Sequence, residues 1–170
     1  MDPQMSVSTA HPPPPDLTHL DLLDALSGAV ALGRKVCIPA SGGSMGAAFA
    51  SARGIVVVPY DSAAVGVGSV IVFQRDGRWI VHRVMGVYGR GEAAGYVTKG
   101  DVLTWLDRPR VNAAEVKGVV VGLNMANGTT VDLTSTRWRW RGRARVVRGW
   151  LTVALARRRR APSPARWRPA

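Results

Sequence analysis

The chain carries one cysteine, Cys37, among 170 residues. A lone cysteine excludes an intrachain disulfide framework and a cysteine-built metal cluster. Its setting, Lys35-Val36-Cys37-Ile38-Pro39, reads as a strand, so a buried structural thiol is expected rather than a nucleophile. Histidine is scarce too: His11, His19 and His82 are the whole set. No run reaches the ~18–20 uninterrupted apolar residues that a membrane span needs. Leu17–Leu32 is interrupted by His19, Asp21 and Asp24, and Val146–Ala156 is short and holds Arg148. Residues 1–16 are acidic and proline-rich rather than basic and then apolar, so no secretory leader is expected. Acidic residues are missing from one whole stretch. Residues 133–170 hold 12 arginines and no Asp or Glu, whereas residues 1–132 hold 11 Lys+Arg against 11 Asp+Glu. The net charge of +12 therefore belongs to the C-terminal segment and not to the domain. A neutral domain does not carry the footprint of a nucleic-acid binder, and a basic tail looks for an acidic surface, anionic lipid being one candidate.

What is present is a domain of ordinary size, with 46% hydrophobic residues to build a core. Residues 1–15 end in His11-Pro12-Pro13-Pro14-Pro15 and read as a disordered or polyproline II leader. Over 16–34, Asp16 can cap a helix in which Leu20, Leu23, Leu26 and Val30 recur at helical steps, ending near Gly33. From 35 to 133 short Val/Ile runs alternate with Gly, Asp and Asn: Val36–Ile38, Ile55–Pro59, Ser69–Gln74, Trp79–Met85, Gly95–Thr98 and Val116–Leu123, with Val131–Leu133 as an edge strand. Asp76-Gly77 marks a tight hairpin between two of them. The expected fold is mainly β, with an N-terminal amphipathic helix and a basic C-terminal helix within an Arg/Trp-rich tail at 134–170.

Three local signals carry chemistry. Ser41-Gly42-Gly43-Ser44-Met45 precedes a helical turn expected at Gly46–Ala52; small residues there let the backbone turn sharply and expose both a hydroxyl and an amide. Trp79-Ile80-Val81-His82-Arg83-Val84 reads as a strand, whose alternation puts Ile80, His82 and Val84 on one face and Val81 and Arg83 on the other. His82 is the only histidine of the β domain, and so the one candidate base. Thr98-Lys99-Gly100-Asp101 is followed by Asp107, giving two candidate acceptors for the second ring nitrogen.

Ser-Gly-Gly-Ser-Met, then Val-His-Arg-Val, then Thr-Lys-Gly-Asp with a second Asp six residues on resembles the archaeal and endoplasmic-reticulum type of signal peptidase. More distantly, it is similar to bacterial signal peptidases and to the self-cleaving domain of SOS repressors. Val67–Phe73 and Val116–Gly122 are similar to further words of that family, and the resemblance covers about residues 36–123. It implies a coiled β-sheet catalytic core and a serine peptidase that cuts after small residues. It makes Ser44 the nucleophile and His82 the base, where bacterial relatives use a lysine. Lys99 is then not the base, Asp107 is the preferred orienter of the histidine, and Asp101 is the alternative. Ser41, Gly42, Gly43 and Met45 fall where the oxyanion and substrate are held. Ala47 replaces the family's proline, Gly42 replaces a serine two before the nucleophile, and the Leu17–Leu32 helix stands where a membrane anchor is expected.

No metal or organic cofactor is implied. The expected partner is a peptide or protein with small residues before the cut. The Arg/Trp stripe at 137–160 suits an anionic membrane surface, and nucleic acid less well, which makes the expected location peripheral to a membrane or cytoplasmic. Two alternatives stay open: a catalytically degenerate binding module of the same fold, and a basic nucleic-acid- or membrane-binding protein.

Overall fold

The computed structural model describes residues 28–29, 32–39 and 42–160. The proline-rich leader, most of the expected 16–34 helix, Ser41 and residues 161–170 lie outside the described residues. In chain order the elements are β1 (Val36–Pro39), α1 (Ala47–Ala50), β2 (Ala52–Val58), β3 (Val70–Arg75), β4 (Arg78–Tyr88), β5 (Gly95–Lys99), β6 (Val111–Asn112), β7 (Val116–Met125), β8 (Thr130–Asp132) and α2 (Thr136–Arg160). The strands form one antiparallel eight-stranded sheet in the order β1-β2-β7-β3-β4-β5-β6, with β8 also paired to β7.

Alternation along β3 shows how both faces of this sheet come to be covered. Val70 and Val72 enter one core with Ile38, Phe49, Val57 and Leu123. Ile71 and Phe73 enter the other with Val84, Tyr96 and Val111. A strand buried on both faces is an unbroken apolar run, as Val70–Phe73 is. The ladders slip in several places, with register shifts at Val56/Val57, Val72/Phe73 and Val84/Gly86; such bulges bend a strand and increase its local twist. The β3–β4 hairpin turns at Asp76 and Gly77, both at positive φ (51 and 69°), the conformation that an Asp-Gly turn accepts.

One expectation changes and another gains its bounds. Cys37 is exposed, since on edge strand β1 the inward position falls to Ile38; its Sγ accepts a contact from Asn124 Nδ2 at 3.1 Å. The C-terminal helix is also longer than the apolar run Val146–Ala156. It spans 25 residues from Thr136, because its docking on the sheet begins well upstream of that run. Val146 and Val153 are buried, Trp150 Nε1 donates to the Met85 carbonyl at 3.2 Å, and α2 touches β4. Glycine permits the close approach. A Cβ on Gly142 would stand 3.1 Å from the Gly68 carbonyl oxygen, and one on Gly149 2.7 Å from Met85 Cε.

Candidate active site

The turn between β1 and α1 presents Ser44. Gly46 N–H bonds the Gly43 carbonyl at 2.9 Å, and the Ser44 carbonyl accepts the Val102 N–H at 3.1 Å. Ser44, half-buried between exposed Gly43 and buried Met45, is thus held through its backbone, and among the described residues no backbone contact occupies its hydroxyl. His82 lies in the middle of β4 and is 7% exposed, with the Phe73 ring edge-on to it at 6.3 Å. Its Nε2 lies 3.2 Å from Ser44 Oγ, and its Nδ1 lies 2.6 Å from Asp107 Oδ2.

Asp107 sits on the loop after β5, which two anchors hold. Its own N–H bonds the Thr98 carbonyl at 2.9 Å, and Thr98 Oγ1 donates to Oδ2 at 2.6 Å. Further along, Arg75 donates to the carbonyls of Pro109 and Arg110 and pairs with Glu115 at 2.9 Å. Burial works to raise the Asp107 carboxyl. The hydrogen bonds from His82 and Thr98, with the charges of His82 and Arg75, outweigh it and hold the group below its ordinary value. An ionised Asp107 can only accept, so the proton of the neutral imidazole belongs on Nδ1. That leaves the Nε2 lone pair facing the Ser44 hydroxyl.

The two aspartates serve opposite faces of β4. His82 points to Asp107; its neighbour Arg83, on the other face, takes both oxygens of Asp101 at 2.7 and 2.8 Å and donates to the Gly68 carbonyl at 2.8 Å. Arg145 of α2 approaches Asp101 at 3.7 Å. Lys99, 2% exposed, donates to the Gly100 and Asp101 carbonyls at 2.9 and 3.3 Å. Burial lowers its affinity for the proton, against the opposing pull of Asp101 and Asp107.

Of the loop residues expected around the serine, Gly42 and Gly43 are exposed beside it and Ser41 is outside the described residues. The Met45 side chain is packed into the core at 6% exposure, so only its backbone can face a ligand. Two grooves lie away from Ser44 and His82: one of ≈ 530 Å³ backs Asp107 with Trp105 and Arg108, and one of ≈ 800 Å³ lies between the loop at 61–69 and α2. Among the described residues no group of three His, Cys, Asp or Glu could hold a metal ion.

Two contributors were not assigned by the sequence reading. Thr98, wholly buried, was quoted only as part of a motif. Gly100 is the second. A Cβ there would stand 2.8 Å from the Ser44 carbonyl oxygen and 3.0 Å from His82 Nε2, and the first of these is backbone that cannot swing away. Gly100→Ala is therefore expected to push Ser44 and His82 apart. Any activity that needs their contact should drop about a hundredfold, the scale of an ångström-sized misplacement. Steady-state rates beside a melting curve check this: a near-wild-type rate would show that the turn absorbs the methyl group.

Comparison with family models, curated protein sequences and solved structures gives no match.

Proposed function

We propose that the chain is a serine endopeptidase of the signal-peptidase type. The observation that carries this reading is the unbroken line Ser44–His82–Asp107, with Thr98 fixing the far carboxylate. In this mechanism Ser44 Oγ attacks the scissile carbonyl carbon while its proton passes to His82 Nε2. The developing oxyanion is held by the Ser44 amide and the turn at 42–43. The C–N bond then breaks as His82 returns the proton to the leaving amine. Water, deprotonated in turn by His82, releases the acyl group and regenerates the serine. Asp107 holds the ring and stabilises the imidazolium. The Ser44 Oγ–His82 Nε2 distance of 3.2 Å is within hydrogen-bond reach, as a general base requires.

Lys99 as a competing base finds less support. Lys99 Nζ is spent on the Gly100 and Asp101 carbonyls, on the side where α2 packs. Among the described strands β1, which leads into the serine turn, lies at the end of the order, which gives an extended substrate an edge to pair with.

The test is hydrolysis of a quenched peptide with alanine at the first and third positions before the cut. The wild-type chain is expected to cleave it, with a rate that rises with pH because only the neutral imidazole accepts the serine proton. Asp107 also links pH to stability. Its folded pKa is depressed, so its contribution to stability is complete above the unfolded carboxylate value (~3.9) and is lost only as pH falls through the lower folded value. Loss of rate on mild acidification should therefore precede loss of fold. Cleavage by His82→Ala at the wild-type rate would reject the mechanism.

A further inference from the structure

Helix α2 has two apolar faces. With 3.6 residues per turn, Gly142, Val146, Gly149 and Val153 fall in one stripe, and this is the stripe seated on the sheet. On the opposite side Trp140, Val147, Leu151 and Leu155 form a second, 66, 63, 60 and 59% exposed, with exposed Ala144 between the first two. Arg143 runs along one margin of that stripe; Arg137, Arg141 and Arg148 run along the other. The outward face of a helix docked on its own domain is ordinarily polar. A continuous exposed apolar stripe rimmed by charge marks a contact surface.

Charge and shape choose the occupant. The whole segment after residue 132 lacks an acid, so the partner is anionic. The stripe is mainly aliphatic, and Val147, Leu151 and Leu155 offer nucleic-acid bases nothing to stack on. The rings of Trp138 and Trp140 are already covered by guanidinium groups: Trp138 by Arg141 and Arg145, at 5.2 and 5.4 Å, and Trp140 by Arg143 at 5.7 Å. The boundary between lipid headgroups and acyl chains accepts aliphatic side chains and a tryptophan, while headgroup phosphates accept arginines. No described helix is long and apolar enough to cross a membrane.

We propose that α2 lies in the plane of an anionic membrane surface. Trp140, Val147, Leu151 and Leu155 enter the headgroup–acyl boundary, the flanking arginines meet the phosphates, and the opposite stripe stays seated on the sheet. The basic segment is then a rigid bracket between lipid and β4 rather than a loose tether. Because it does not involve Ser44, this inference stands or falls independently of the peptidase reading.

The experiment is co-sedimentation of the full chain with vesicles of equal parts phosphatidylglycerol and phosphatidylcholine, and with vesicles of phosphatidylcholine alone, at low and high salt. Binding is expected only with phosphatidylglycerol, and should weaken about tenfold or more in high salt. Leu151→Glu should weaken it by about tenfold or more with an unchanged circular dichroism spectrum, because the site is exposed. Should that variant fail to fold, Leu155→Ser and Trp140→Ser carry the same expectation. Equal binding to both vesicle types, or unchanged binding by the stripe variants, overturns the proposal. So does tighter binding to RNA than to vesicles. A lipid-free dimer that Leu151→Glu converts to monomer would assign the stripe to a second copy and also overturn it.

Discussion

Ser44→Ala is expected to abolish peptide hydrolysis, by about a million-fold on the scale seen when a serine hydrolase loses its nucleophile. The fold should survive. The structural work of residue 44 is done by its carbonyl, which accepts the Val102 N–H, and alanine keeps that carbonyl. The lost hydroxyl makes one 3.2 Å contact to His82 from a half-buried position, so the stability change should stay within about 1 kcal/mol. Peptide turnover and a thermal melt on the same preparation separate the two effects. Full turnover by a folded Ser44→Ala chain would mean that the hydroxyl is a bystander.

Asp107→Asn carries the next largest effect. Asparagine preserves size, but its side-chain amide can donate to Nδ1, which lets the imidazole keep its proton on Nε2. That tautomer faces Ser44 with a donor where an acceptor is required. A loss of about 10⁴ in rate is expected, the value found for this change in the chymotrypsin-type triad. Asp101→Asn should behave differently, because Asp101 holds Arg83 and not the histidine. Arg83 is 5% exposed, and breaking a buried pair costs ~3–5 kcal/mol when one partner is removed outright. Asparagine keeps one acceptor, so the lower end applies. The signature is a lowered unfolding midpoint, with a rate that falls far less than for Asp107→Asn under conditions where the protein stays folded. Denaturant titrations beside turnover numbers for both variants make the comparison, and the opposite ranking would exchange the roles of the two acids.

Much of this architecture is legible in the chain, and the remainder fails for identifiable reasons. The β-branched runs mark β1 to β5 and β7, and Asp76-Gly77 marks the hairpin, because strand alternation and turn chemistry are local properties. The face of His82 is legible for the same reason: parity along β4 separates it from Arg83. Which aspartate meets it is not legible. Asp101 and Asp107 lie in the loop after β5, and their destinations depend on how that loop folds back. The decisive constraints are the Asp107 amide bonded to Thr98 and Arg75 reaching the carbonyls of Pro109 and Arg110, the latter pair 34 and 35 residues away. Strand β6, two residues long, is too short to show a period. Cys37 was misjudged because a strand pattern does not say whether a strand lies at an edge, where one side of the pleat meets solvent. The bounds of α2 within the 134–170 tail were not legible, because the helix has two opposed apolar faces. Each alone would read as an amphipathic helix; together, with arginines between them, they cancel the one-sided pattern by which such a helix is recognised.

The central claim is that Ser44 is a nucleophile activated by His82, and covalent labelling tests it without knowledge of the natural substrate. A fluorophosphonate reacts with an activated serine hydroxyl and is inert to an ordinary one. Incubated with the full chain and followed by peptide mass spectrometry, the probe should modify Ser44 alone, faster as pH is raised. Asp107→Asn and His82→Ala should slow the labelling steeply, and Ser44→Ala should remove it. Absence of labelling on a folded wild-type chain, or labelling of Ser44 at the same rate when His82 is alanine, would contradict the account.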